Sequence, residues 1–145
     1  MTKKIKAVLF DMDGVLIDAK DWHYDALNMA LKDCGFNPIS REDHLAYYDG
    51  LSTIQKLEKL EKLGSIKRSD FDKISSLKQE YTLKIGQEKI EPFNIHIDLM
   101  KKLKSLGIKL VVCSNSIRNT VDKFISKAKL AEYMDFTLSN QDVKH

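Results

Sequence analysis

The 145-residue sequence predicts an α/β protein, an open parallel sheet interrupted by an inserted bundle of helices. Three observations carry that expectation. The run IKAVLFD, Ile5 to Asp11, is continuously apolar rather than alternating, as a parallel strand covered on both faces requires. A second such run, KLVVCS from Lys109 to Ser114, follows a helix and a glycine, which is half of a βαβ unit. Between the two lie roughly eighty residues of helical periodicity, far more than the dozen or so that a parallel crossover needs.

Each element has its own signal. DWHYDALNMALKDCGF sets Ala26, Leu27, Ala30, Leu31 and Cys34 at helical spacing, and REDHLAYY predicts a second, shorter helix. Ser52 with Gln55 has the form of a capping box ahead of the stripe Ile54, Leu57, Leu60, Leu63. Ser69 is expected to open a further helix carrying Phe71, Ile74, Leu77, Tyr81 and Ile85. These helices predict a cap over residues 18–91, hinged near Ile17 to Lys20 and near Glu88 to Phe93, with Pro92 stiffening the return. The α/β core then comprises residues 1–17 and 92–145. In NIHIDLMKKLKSLG the residues Ile95, Leu99, Leu103 and Leu106 share one face, and Gly107 is placed to end the helix. SIRNTVDKFISKAKL follows the second strand with Val121, Phe124, Ile125 and Ala128 as an apolar stripe, and MDFTLSN is a third strand.

Composition narrows the function classes. Apolar residues at 43% and charged residues at 31% mark a globular protein, and the apolar runs are strand-sized, so no membrane span is expected. The basic start MTKKIK meets an acid too soon for a signal peptide, which predicts a cytoplasmic protein. The net charge of +3 comes from Lys-rich segments interleaved with acids, such as KLEKLEKLG, where Glu58 and Lys62 are spaced to pair; this is a solvated face rather than a nucleic-acid patch. Cys34 and Cys113 have no metal-ligand spacing and read as buried reduced thiols. His44, His96 and His145 likewise lack ligand spacing and are expected to be solvated or locally bonded.

The chemistry concentrates at the ends of the strands. Asp11 and Asp13 are two carboxylates at one strand tip, and Gly14 after them allows a sharp turn. Like charges so placed repel and cost desolvation unless a cation and a reaction use them. A carboxylate attacks phosphorus acceptably when a divalent cation neutralises the incoming charge, which suits Asp11 as nucleophile. Asp13 then serves as acid to the leaving oxygen and base to water. The turn N–H groups at Gly14, the Ser114 hydroxyl, and the N–H groups of Asn115 and Ser116 at the start of the following helix are placed to hold phosphate oxygens. Ser114 as a plain helix N-cap is compatible with that role. His23, Tyr47, Tyr48 and Arg118 read as packing or exposed residues unless geometry shows otherwise.

DMDGVLID resembles the first signature of the haloacid dehalogenase superfamily, and VVCSNS is similar to its second, an apolar strand ending in Ser or Thr. The order of strand, helical insertion and second signature resembles the subgroup with a helical cap, which includes β-phosphoglucomutase and many small-molecule phosphatases. The resemblance covers essentially the whole chain. It implies a Rossmann-like core, magnesium as cofactor, Asp11 as nucleophile and metal ligand, Asp13 as acid/base residue that also offers its main-chain carbonyl to the metal, Ser114 as phosphate binder, and His23 as a residue following the first hinge. The implied function is magnesium-dependent hydrolysis of a small phosphorylated metabolite through an aspartyl-phosphate, with a phosphosugar mutase and a catalytically incomplete binding form as alternatives. Thr53 departs from the mutase pattern, which has an arginine after the G-x-S turn. The third signature, a lysine in a K-P sequence, and the fourth, an acidic pair, are expected to follow NQDVKH, so Lys144 is not assigned a role. A chain ending at His145 is expected to leave the Asp11 strand as a sheet edge, to bind magnesium poorly, and either to self-associate through that edge or to be a portion of a longer protein.

Overall fold

A computed structural model describes residues 4–19 and 21–143. The expected hinge position Lys20, together with Lys144 and His145, lies outside the described residues. In chain order the elements are β1 (Ala7–Asp11), α1 (Trp22–Asp33), α2 (Arg41–Asp43), α3 (Thr53–Lys62), α4 (Phe71–Lys89), α5 (Asn94–Ser105), β2 (Lys109–Cys113), α6 (Arg118–Lys127) and β3 (Phe136–Leu138). A π-helical turn spans His44–Tyr48, and 3₁₀ turns lie at Arg68–Asp70, Ala131–Tyr133 and Asn140–Asp142. The chain divides into two compact units, Met1–Ala19 with Gly86–His145, and Lys20–Ile85. The second boundary falls inside α4, not in a loop.

The first unit is the α/β unit. Its three strands are parallel in the order β1-β2-β3, and Asp11 stands opposite Cys113 at the carboxyl end of the sheet. Leu110 and Val112 of the central strand are fully buried, as are Met100 on α5 and Val121, Phe124 and Ile125 on α6. Gly107 closes α5 with φ +74°, its N–H donating to the Lys104 carbonyl while that of Ile108 donates to Leu103. Close helix packing is achieved at Gly86, where an added Cβ would stand 2.2 Å from Phe124 Cε1. Asp135 ties the unit's far end, accepting from the Leu110 N–H at 2.9 Å, Lys104 at 2.9 Å and Lys109 at 3.0 Å.

Two expectations for this unit are corrected. β1 is not covered on both faces: Leu9 is 65% exposed and no residue from Ala7 to Asp11 is fully buried. Among the described residues the strand pairs on one side only, so its apolar run has fewer neighbours than a central strand's. On α5 Ile95, Leu99 and Leu106 of the expected stripe are exposed, Leu103 is half-buried, and Met100 is fully buried. Periodicity locates an apolar face but not the element that covers it, and among the described residues nothing covers this one.

The helical unit, by contrast, closes on itself. Leu27, Ala30, Leu31, Ile39, Tyr48, Leu57, Leu60, Ile66, Phe71 and Ile74 form one buried cluster. Asn28 pins the loop after α1 by exchanging two hydrogen bonds with the Ile39 backbone, at 2.9 and 2.8 Å. The Ser52–Gln55 capping box forms in both directions. Three local expectations fail here. The second helix breaks after Asp43 into the π-helical turn, which buries His44 and Tyr48 and leaves Tyr47 exposed, so of the two states expected for His44 it takes the locally bonded one, with Nε2 3.9 Å from Asp49. Ser69 does not cap α4; Asp70 accepts from the Lys67 N–H instead, making the 3₁₀ turn that leads into Phe71. Glu58 faces Arg68 at 3.4 Å rather than pairing with Lys62, because the chain folds back through the 3₁₀ turn. Both cysteines are free thiols, half-buried rather than buried.

Candidate functional site

The site grows from the way β1 ends. After Asp11 the chain turns around the Met12 carbonyl, which accepts from the N–H groups of Leu16 and Ile17 at 3.0 Å each and, more weakly, Val15 at 3.4 Å. Gly14 takes φ +80°, a conformation that costs a residue with a Cβ about 1–2 kcal/mol. Met12 is fully buried beneath this turn, so the alternation of the strand sends its neighbours, Asp11 and Asp13, to the open end. Asp11 is exposed, with one carboxylate oxygen accepting from the Met12 N–H at 2.8 Å.

The parallel register then sets β2's end beside it. Ser114 follows Cys113 directly, and its N–H donates to the Leu138 carbonyl of β3, which fixes the strand tip. The hydroxyls of Ser114 and Ser116 lie 3.4 and 3.5 Å from the same oxygen of Asp13, distances at the long limit of hydrogen bonding. Ser114 Oγ also accepts from the Ser116 N–H at 3.1 Å. Thus Asp11, Asp13, Ser114 and Ser116 converge at one end of the sheet, with exposed Asn115 between the two serines.

Several details differ from the sequence reading. The helix after β2 begins at Arg118, with Ile117 as its uncapped N-terminal neighbour, so Asn115 and Ser116 lie in a connecting loop and Ser114 caps no helix. The reason is local: the Ser114 hydroxyl captures the N–H two residues on, and the chain makes a turn before the helix starts. The Gly14 N–H donates to the Ile17 carbonyl at 2.7 Å and so is engaged within the turn. The Ser116 hydroxyl was not singled out from the sequence, although its two-residue spacing from Ser114 was the available signal. Arg118 proves to be a clamp: it donates to the Thr137 carbonyl at 2.9 Å and hydroxyl at 2.6 Å, and pairs with Asp142. His23 lies in the helical unit with its Nδ1 3.2 Å from the Lys78 ammonium.

The Asp11 carboxylate and the Asp13 main-chain carbonyl are hard oxygen donors of the kind magnesium takes, and magnesium is commonly held by one or two carboxylates while keeping several waters. Among the described residues no group of three His, Cys, Asp or Glu side chains stands ready to hold an ion. Asp11 and Asp13 therefore fit a metal that substrate and water help to coordinate, not a closed protein cage.

The family described as haloacid dehalogenase-like hydrolase matches residues 8–145. Pyrophosphatase PpaX of Bacillus mycoides is 25% identical over 142 residues, which cover 98% of this chain and 63% of that protein. The crystal structure of a predicted phosphoglycolate phosphatase from Haemophilus somnus superposes with a TM-score of 0.81 at 16% identity, covering 100% of this chain and 67% of that one. β-Phosphoglucomutase from Clostridium difficile gives 0.76 at 22% identity, covering 98% and 65%. The chain thus spans less than two thirds of the length of the curated relative, and the structural likenesses speak to the fold.

Proposed function

The chain belongs to the haloacid dehalogenase-like hydrolases, and from that premise we propose that it carries the reacting end of a magnesium-dependent phosphatase for a small phosphorylated metabolite. The observation that carries this reading is the convergence of Asp11 and Asp13 at the end of β1 with Ser114 and Ser116 at the end of β2. The phosphatase, pyrophosphatase and mutase named among the similar proteins share phosphorus chemistry, which supports the class without fixing the substrate.

In this reading Asp11 attacks phosphorus, forming an aspartyl-phosphate as the bond to the leaving oxygen breaks, and Asp13 gives that oxygen its proton. Asp13 then takes a proton from water, which attacks the aspartyl-phosphate and releases inorganic phosphate with the Asp11 carboxylate restored. The Asp11 carboxylate and the Asp13 main-chain carbonyl would hold a magnesium ion, which would neutralise charge on the phosphoryl oxygens. The Ser114 hydroxyl and the Asn115 N–H hold those oxygens. Ser116, whose hydroxyl lies 3.5 Å from Asp13, aims that carboxyl while the Ser114 hydroxyl is engaged with phosphate. A mutase is the weaker reading, because Thr53 offers no cation for a second phosphate at the position where mutases of this kind carry arginine.

The test is phosphate release with magnesium from a panel of sugar and nucleotide monophosphates, using the longest polypeptide that contains this chain. Asp11→Asn abolishes turnover on this account, since an amide is neither nucleophile nor good metal ligand, and Asp13→Asn slows it on the order of a hundredfold or more. Undiminished turnover in Asp11→Asn refutes the mechanism. Absence of turnover and of phosphate binding in the unaltered protein favours a non-enzymatic form.

A further inference from the structure

We propose that Arg118 is a positioning residue for the phosphoryl-transfer site: by gripping the turn at Asn140–Asp142 it holds Ser116, and through Ser116 it aims the Asp13 carboxyl. This role rests on the acid and base chemistry assigned to Asp13.

The helix that follows β2 lacks a cap of its own. Ile117, the residue ahead of α6, makes no side-chain hydrogen bond to the helix start. The Arg118 N–H donates instead to Gln141 Oε1 at 2.8 Å, across to the turn that follows β3. The guanidinium reaches the same region: Nη1 donates to the Thr137 carbonyl at 2.9 Å and hydroxyl at 2.6 Å, and Nη2 pairs with Asp142. A planar guanidinium holds several acceptors at fixed angles, which an ammonium does not. Main chain and side chain of one residue thus grip one turn.

That turn passes the constraint on. Asp142 Oδ2, the oxygen that Arg118 meets, also accepts from the N–H and the hydroxyl of Ser139, each at 2.7 Å, and Ser139 is only 2% exposed. The Asn140 N–H donates to the Ser116 carbonyl at 3.1 Å, while the Leu138 carbonyl accepts from the Ser114 N–H at 2.9 Å. The loop carrying the two serines is therefore held at both ends by the end of β3. Ser116 stands two residues before Arg118, so the contacts close a ring through Ser116, Arg118, Asp142, Ser139 and Asn140. From this ring the Ser116 hydroxyl faces Asp13 at 3.5 Å. A contact at the long limit of hydrogen bonding is lost on a small displacement. A misplacement of about 1 Å at a reacting group can cost on the order of a hundredfold in rate. Loss of aim at Asp13 falls hardest on an ester whose leaving oxygen needs the Asp13 proton.

The test compares Arg118→Met with Lys104→Met, which removes an ion pair of the same unit, that with Asp135 at 2.9 Å. In the isotope-labelled 145-residue chain the Asp13 carboxyl signal, identified by its loss in Asp13→Asn, is followed by NMR. It is expected to move together with the Ser116 amide signal in Arg118→Met and to stay in place in Lys104→Met. In the longest polypeptide containing the chain, single-turnover formation of the aspartyl-phosphate is measured with phenyl phosphate and p-nitrophenyl phosphate. Arg118→Met is expected to slow the phenyl ester about tenfold more than the nitrophenyl ester, because nitrophenolate departs without a proton, whereas Lys104→Met treats both alike. An Asp13 signal that ignores Arg118→Met, or that follows Lys104→Met as far, overturns the proposal, as does equal slowing of the two esters in Arg118→Met. Absence of turnover in the unaltered protein, with the Asp13 signal still following Arg118, supports the linkage and overturns the phosphatase reading instead. If Arg118→Met does not fold, Arg118→Lys, which keeps the charge and loses the planar fork, is read against the same control.

Discussion

The helical unit and the α/β unit spend their apolar residues differently. In the helical unit Leu27, Leu31, Leu57 and Ile74 meet one another in a single buried cluster. In the α/β unit the buried set is real but partial: Leu110 and Val112 are enclosed, whereas Leu9 on β1 and Ile95, Leu99 and Leu106 on α5 face outward. The contrast teaches that a helical insertion satisfies its amphipathic stripes locally, while a sheet strand needs neighbours on both edges and both faces. What the α/β unit does complete is its carboxyl end, where Asp13 and Ser114 meet.

Substitutions sharpen the contrast. Ile74→Ala empties a fully buried position of the helical cluster and is expected to cost about 2–5 kcal/mol in denaturant unfolding, whereas Ile95→Ala on the open face of α5 changes stability by about 0.5 kcal/mol or less. Equal costs at the two positions would break the comparison. Gly86→Ala forces a methyl against Phe124 in the part of the α/β unit that is closed, with an expected loss of about 1–3 kcal/mol. Asp135→Asn acts in a pH-dependent way. The Leu110 N–H, then Lys104 and Lys109, hold the Asp135 carboxyl well below the usual carboxylate range. A depressed carboxyl stabilises the fold above its unfolded pKa and loses that contribution as pH falls toward the folded one. Asp135→Asn is therefore less stable than the unaltered chain at neutral pH, and thermal melts converge as pH drops below about 4. The smallest effect on stability is expected for Leu9→Lys, which instead lowers concentration-dependent association measured by light scattering, since a charge on an edge strand discourages edge pairing.

Much of this was legible in the residues themselves. IKAVLFD with the MDG that follows it marked the strand and its turn, and Gly107 and the Ser52–Gln55 pair marked helix ends by local rules. What stayed hidden depended on tertiary context. REDHLAYY has helical periodicity throughout, yet the π-helical turn that buries His44 follows from packing Tyr48 into the helical cluster. The outward face of α5 was legible as apolar but not as uncovered. The Ser116 contact with Asp13 joins residues far apart in sequence, and only the register of β1 on β2 creates it.

The central claim is that Asp11 is a nucleophile at a phosphoryl-transfer site, and the most direct measurement is a covalent one. The chain, or the longest polypeptide containing it, is incubated with magnesium and acetyl phosphate, quenched in acid and weighed intact. The account predicts a species heavier by one phosphoryl group, with the group mapped to Asp11 by peptide fragmentation and missing from Asp11→Asn. Phosphorylation that persists in Asp11→Asn, or that maps to another residue, contradicts it.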